Sequence, residues 1–275
     1  MPEARASSLA GKRIVVTRAA AQSGELLQEL SAHGASPILF PLVAFAEPAN
    51  FSSLDAGLLR LGEFDWLIFT SENAVHSVAA RLVALGRSLD EVGRPAQVAA
   101  VGPTTARAAE RAGFAIAYSA KTHSGVALAN ELGTAFGGKS VFLPRSNRAN
   151  PDLPVVLRTH GAHVTEAVAY VTLPPAELDP LSLAAIAPGQ IDAILFFSPT
   201  AVEHFADLLG SGKLRAFQDD LAIVAVGPIT AAALDLAGVK VMVVATDTTS
   251  AAVVNALMNF FAAVEKHSSA GAKHA

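Results

Sequence analysis

The run GKRIVVTR, Gly11 to Arg18, and the run GKSVFLPR, Gly138 to Arg145, decide how this chain is read. They start 127 residues apart, and outward from them the offset persists: Leu30 and Gly34 return as Leu157 and Gly161. FDWLIFTSENAV, with Asp65, Phe69, Ser71, Ala74 and Val75, returns as IDAILFFSPTAV, with Asp192, Phe196, Ser198, Ala201 and Val202. VAAVGPTTARAAERAG, with Gly102, Pro103, Thr105, Ala106 and Gly113, returns as VAVGPITAAALDLAG, with Gly227, Pro228, Thr230, Ala231 and Gly238. That last pair is 125 apart, so two residues are lost on the way. Agreement at so many ordered positions marks an internal duplication.

Each copy reads as strand then helix, several times over. RIVVT at 13–17, WLIFTS at 66–71 and VAAVG at 98–102 are short and too apolar to face water on either side, the pattern of a parallel sheet covered by helices. Helical spacing fills the gaps at 24–32, 75–85 and 104–112, the last stopping at Gly113 as a glycine just past a helix end. The expected fold is doubly wound α/β. PLVAFAEPANFSSLD after the second strand and YVTLPPAELDPLSLAAIAPGQ in the second copy lack such patterning and suit domain boundaries. Residues 265–275 have nothing to bury and read as a disordered tail.

Composition narrows the function. With 52% hydrophobic and 16% charged residues, the chain can bury a substantial core, and no apolar run reaches the roughly 18 residues of a membrane helix. Residues 1–12 contain no apolar signal region and read as a short loose arm. Zero cysteines suits a reducing compartment and removes thiol nucleophiles, disulfides, iron–sulfur ligation and the common structural zinc sites, so a cytoplasmic location is expected. A net charge of −4 argues against a nucleic-acid footprint while leaving room for a local basic pocket.

In open parallel sheets, ligands bind beyond the carboxyl ends of the strands, where helix N-termini offer unpaired N–H groups. The repeated motifs fall there: Thr70, Ser71 and Asn73 in FTSENAV, Ser198 and Thr200 in FFSPTAV, and Thr105 and Thr230 in the two Gly-Pro turns. Each hydroxyl is either an anion cradle or a plain helix cap. Arg18 and Arg145 occupy the same place after the first strand of each copy, with Asn147 and Arg148 following the second; a guanidinium there either clasps a carboxylate or rests in solvent. Lys121 is a weaker candidate.

Tyr170 differs in kind, because its partner 127 residues earlier is Val43 and the tyrosine breaks the symmetry. A phenol can protonate a leaving hydroxyl, or it can simply pack in a strand. His160 and His163 lack carboxylate or cysteine partners nearby, and His33 repeats His160, which suits a helix end better than a metal. There is no Rossmann glycine fingerprint, Walker loop or nucleophile elbow.

In this order the motifs resemble the uroporphyrinogen-III synthase family over about residues 11–261: VTR, an HG-terminated helix, FTSENAV, VGPTTARAAERAG, the Gly138 strand, the VAY tyrosine, FFSPTAV and VGPITAAALDLAG. The resemblance implies two flavodoxin-like domains with a cleft between them, joined by a two-stranded connection. It places residues 1–42 with 175–275 in one domain and 43–174 in the other, with linkers near 40–48 and 170–178, whereas the repeat alone cuts near Gly137. It implies a cofactor-free hydro-lyase that converts hydroxymethylbilane, a linear tetrapyrrole with eight carboxylates, into uroporphyrinogen III, inverting ring D and losing water. Tyr170 would then be the acid for the leaving hydroxyl, and Arg18, Thr70, Ser71, Asn73, Thr105, Arg145, Arg148, Ser198, Thr200 and Thr230 would bind substrate. The second copy departs from the pattern at Phe197, where the first has Thr70. No metal, membrane or nucleic-acid partner is expected, and a monomer is. The competing readings are a two-lobed module binding a polyanion and a phosphosugar or nucleotide enzyme using the same helix starts.

Overall fold

The structure, a computed structural model, describes residues 9–120, 124–186, 189–218, 220–245 and 247–271. The first copy of the repeat runs through β1 (Arg13–Val16), α1 (Gly24–Ala32), β2 (Ser36–Leu39), β3 (Ala44–Ala46), α2 (Ser52–Leu58) and β4 (Trp66–Phe69). It continues through α3 (Glu72–Ala84), α4 (Leu89–Val92), β5 (Gln97–Ala100), α5 (Pro103–Arg111), β6 (Tyr118–Ser119) and α6 (Gly125–Leu132). The second copy supplies β7 (Ser140–Ser146), α7 (Asp152–Thr159), β8 (His163–Leu173), α8 (Pro180–Ala185), β9 (Ala193–Phe196) and α9 (Pro199–Leu209). It ends with α10 (Ser211–Phe217), β10 (Ala222–Val226), α11 (Pro228–Leu236), β11 (Val243–Ala245) and α12 (Ser250–Gly271).

These elements form two compact units, one of residues 1–44 with 173–275 and one of residues 45–172. The first unit carries a sheet of order β11-β10-β9-β1-β2, every pair parallel. The second carries β3-β8-β7-β4-β5-β6, parallel from β8 to β6. Both are doubly wound, and in both the strands are buried on two faces. In the first, Val15, Ile194, Phe196 and Ile223 pack to one side and Ile14, Val16, Leu195 and Val224 to the other. In the second, Leu67, Phe69 and Phe142 oppose Trp66, Ile68 and Val141. Alternation along each strand fills two layers, which is why these runs carry no polar face.

Neither unit is one copy of the repeat. The opening strand of each copy joins the sheet of the other, and a carboxylate ties each junction. Asp192, before β9, accepts the Arg13 N–H at 2.8 Å and Lys12 Nζ at 3.2 Å. Its repeat partner Asp65, before β4, accepts the Ser140 N–H at 2.8 Å and Lys139 Nζ at 3.0 Å.

Two stretches differ from the sequence reading. The two Pro-rich segments contain β3, α2, α8 and the end of β8, because short elements of three to seven residues are too brief to display a period. The expected tail from Glu265 instead continues α12 through Gly271, because a helix already started on the buried stripe of Val253, Val254, Leu257 and Phe261 propagates at little cost per residue. No helix among the described residues is long and apolar enough to cross a membrane.

Candidate functional site

Each repeated motif places a strand end against a helix start. Ser71 caps α3 with φ −159° and ψ 156°, and Ser198 caps α9 with φ −159° and ψ 155°, each accepting the N–H three residues on at 3.2 Å. At these two caps the copies agree even in backbone torsions. Before α5 and α11 the chain turns through Gly102 at φ 83° and Gly227 at φ 90°, left-handed values that favour glycine. Pro103 and Pro228 then take the first helical position, where a missing N–H costs nothing.

Thr105 and Thr230 follow in those opening turns, only 5% and 3% exposed. Among the described residues no hydrogen bond is made by either hydroxyl, whereas buried Thr17 and Ser23 donate to the Leu195 and Ala19 carbonyls. A buried hydroxyl without a partner is costly, so these two sit where an outside acceptor or donor would relieve them.

Tyr170 gathers its own set. Its hydroxyl lies 3.0 Å from Ser71 Oγ, and Phe45 packs edge-on against its ring with centroids 5.6 Å apart. Burial pushes the phenol above its ordinary value, while hydrogen bonding from Ser71, Asn73 and Ser146 and the charge of Arg145 act in the opposite direction. The phenol is thus protonated at neutral pH. Either hydroxyl can donate in this bond; Ser71 Oγ, which also accepts from Ala74 N, has one proton to offer the Tyr170 oxygen. A cavity of about 330 Å³ opens beside them, lined by Tyr170, Asn73, His76, Phe45, Phe51 and Arg81 among others.

The structure thus brings Tyr170, Ser71 and Asn73 together and adds Ser146. Thr70 is half-buried just beyond β4, and Thr200 is half-buried in the first turn of α9. Arg148 is exposed, its N–H donating to Ser146 Oγ at 3.2 Å. Arg18 rests over the ring of Phe197 at 5.5 Å, so the phenylalanine that replaces a hydroxyl serves as a cation–π partner. Arg145 is buried and engaged by Glu166 at 3.1 Å and by the Asn150 carbonyl. Lys121 lies outside the described residues. His33 and His160 cap the C-termini of α1 and α7. Among the described residues no cluster of three His, Asp or Glu could hold a metal ion.

Glu166, Ser146 and Thr172 were not singled out by sequence reasoning. The signal was available: their partners 127 residues earlier are Leu39, Ala19 and Phe45, so the symmetry breaks there as it does at Tyr170.

Fold and site define a duplicated, doubly wound α/β protein with paired helix-start hydroxyls and a strand tyrosine hydrogen-bonded to one of the helix-capping serines. The family model of uroporphyrinogen-III synthase HemD matches residues 24–255, and the chain belongs to that family. It is 30% identical to uroporphyrinogen-III synthase of Synechococcus elongatus over 81% of this chain and 85% of the relative. It is 27% identical to that of Chlorobaculum parvum over 85% and 92%. In fold it is similar to a methionine-substituted uroporphyrinogen III synthase of Thermus thermophilus, with a TM-score of 0.66, 23% identity and coverage of 93% of this chain and 100% of the other. Membership makes the chain a lyase-type enzyme of porphyrin biosynthesis.

Proposed function

We propose that Tyr170 is the acid that drives the family's reaction in this chain, the closure of hydroxymethylbilane to uroporphyrinogen III. The observation that carries this reading is the phenol itself, protonated, held by Ser71 at the start of α3, and without a counterpart in the other copy. Ser71 donates to the phenolic oxygen and leaves the phenolic proton directed at substrate. That proton passes to the terminal hydroxyl as its C–O bond breaks. Water leaves, the pyrrole nitrogen supplies the electron pair, and an azafulvene cation forms opposite a tyrosinate. The tyrosinate keeps the hydrogen bond of Ser71 and has Asn73 and Ser146 beside it, groups already in place when charge develops. Attack by the substituted carbon of ring D then gives a spiro intermediate, which fragments and recloses with that ring inverted, and the proton lost at closure restores the phenol.

The remaining groups hold carboxylates. Thr105 and Thr230 bring buried hydroxyls, unpartnered among the described residues, to helix starts, whose positive dipole ends favour anions. Thr70, Ser198 and Thr200 add hydroxyls at the other two, and Arg18 and Arg148 add positive charge. The protein acts as a cytoplasmic monomer on this reading; it contains no cysteine, and sedimentation should give one species near 28.2 kDa.

The test is incubation of purified protein with hydroxymethylbilane and separation of the product isomers. Uroporphyrinogen III is expected; isomer I alone, which arises without enzyme, would sink the assignment.

A further inference from the structure

Arg145, next to last in β7, is only 7% exposed, and the acid step above does not use it. Its Nη1 donates to Glu166 Oε2 at 3.1 Å and its Nη2 to the Asn150 carbonyl, while the other oxygen of Glu166 accepts Arg158 Nη2 at 2.8 Å. A buried guanidinium persists only when paired, and here two share one carboxylate, leaving net positive charge at the strand end. At the repeat position of Glu166 stands Leu39, and the repeat partner Arg18 rests over the ring of Phe197.

The strand pairing slips at the same place. Arg145 faces Val168 but Ser146 faces Tyr170, so Ala169 is an extra residue in β8. Such bulges bend a strand and re-aim the side chain beyond them. Past the bulge the turn is tied back onto β8. Asn147 N–H donates to the Tyr170 carbonyl at 3.2 Å, Asn147 Oδ1 accepts the Thr172 N–H at 2.8 Å, and Ser146 Oγ lies 2.8 Å from Thr172 Oγ1. Arg145 holds the far end of that turn through Asn150.

We propose that Arg145 is a positioning residue for Tyr170: clamped by Glu166 and the Asn150 carbonyl, it fixes the bulged turn that aims the phenol and sets a buried cation within electrostatic reach of it. The proposal rests on the reading of Tyr170 as the acid. The cation favours the tyrosinate left after proton transfer, opposing the burial that disfavours it. Among the described residues the charged or titratable groups around the phenol include Arg145 on β7, Glu166 on β8, Arg158 on α7, His76 and Arg81 on α3, Asp55 on α2 paired with Arg81, and Glu47 after β3.

The chain has two tyrosines, so Tyr118→Phe leaves Tyr170 alone. Incorporating ring-fluorinated tyrosine into that variant brings the phenol's titration toward neutral pH, where fluorine NMR follows it without substrate. Arg145→Met should raise the titration by roughly one pH unit and Glu166→Gln should lower it by less. Opposite signs matter: both changes break the same ion pair, so loss of rigidity alone would shift both in one direction. In unlabelled protein Arg145→Met should lower kcat by up to about tenfold with little change in KM, and Arg145→Lys should restore part of it. Identical titrations in all variants, or shifts of one sign, overturn the proposal. If Arg145→Met does not fold, the near-isosteric Glu166→Gln decides by its sign alone. Full turnover by Tyr170→Phe, with titrations shifting as expected, would remove the acid reading and leave the electrostatic coupling standing.

Discussion

β1 and β2 in one unit and β7 and β8 in the other come from the same duplicated stretch, and they end differently. The β1–β2 pairing stops at Val16 and Leu39, whereas β7–β8 continues past the positions equivalent to these and through a bulge to Ser146 and Tyr170. In the first unit the strand end is closed with apolar groups. Val43, the counterpart of Tyr170, is buried with Phe40 and Leu42, and His204 Nδ1 meets the Leu42 carbonyl at 2.6 Å. In the second, Glu166, Tyr170, Ser146, Asn147 and Thr172 stand at the corresponding places, each joined to another polar group. An apolar end stabilises by about 1.5–3 kcal/mol for each large side chain it buries. A polar end gives that up, and must satisfy every group it hides. Duplication thus supplied two equivalent strand ends, one kept for packing and one given to chemistry.

The largest expected effect separates the two ends directly. Tyr170→Phe should lower kcat by about one to four orders of magnitude, the scale of a positioned acid. Val43→Ala should leave kcat unchanged and cost about 1–2 kcal/mol of stability from lost burial. Single-turnover kinetics beside urea denaturation tests both, and equal slowing by the two variants would break the distinction.

A second pair examines where the units remain alike. Thr105→Ala and Thr230→Ala should each weaken binding of uroporphyrinogen III by about 1–3 kcal/mol, read by calorimetry, with little change in melting temperature because neither hydroxyl has a partner among the described residues. A fall in melting temperature with unchanged binding would return both to a structural role.

Packing differs between counterpart helices too. Gly57 of α2 lies against Phe142, whose ring a Cβ would strike, while its counterpart Ala184 of α8 is exposed. Gly57→Ala should therefore cost about 1–3 kcal/mol by overpacking, and Ala184→Gly no more than about 1 kcal/mol. Urea titration compares them.

The smallest effect is a pH dependence of the junction at Asp65. The Ser140 N–H, Lys139 and the Ser140 hydroxyl hold Asp65 well below the usual carboxylate value of 3.8, at about 2. A depressed native value means this junction stabilises fully above the unfolded value and loses its contribution as pH falls toward 2. The gap in urea midpoint between wild type and Asp65→Asn should accordingly narrow between pH 5 and about 2. A gap that stays constant would show that the carboxylate's charge contributes nothing there.

Much of this was legible along the chain. Helix 24–32 agrees with α1 residue for residue, because Leu26 and Leu30 declare its buried face. Ser71, Ser198, Thr105 and Thr230 were found because helix starts need particular residues at particular places. Tyr170 stood out against Val43, and the same comparison would have exposed Glu166 against Leu39. Arg145 and Arg18 look identical in sequence, yet one is buried in an ion pair and the other rests on Phe197. Their difference lies in neighbours contributed by other elements.

The sequence by itself determined the duplication, the alternation of strand and helix, the hydroxyls at the helix starts and the broken symmetry at residue 170. Periodicity and capping depend on residues a few positions apart, so they survive without coordinates. Only the tertiary structure decided which strands pair, β1 with β9 and β7 with β4, and that a bulge in β8 accompanies the contact of Tyr170 with Ser71. Sheet partners, desolvation and charge coupling are set by neighbours in space, which the chain brings together across separations from 21 residues at Arg145 and Glu166 to 180 at Lys12 and Asp192.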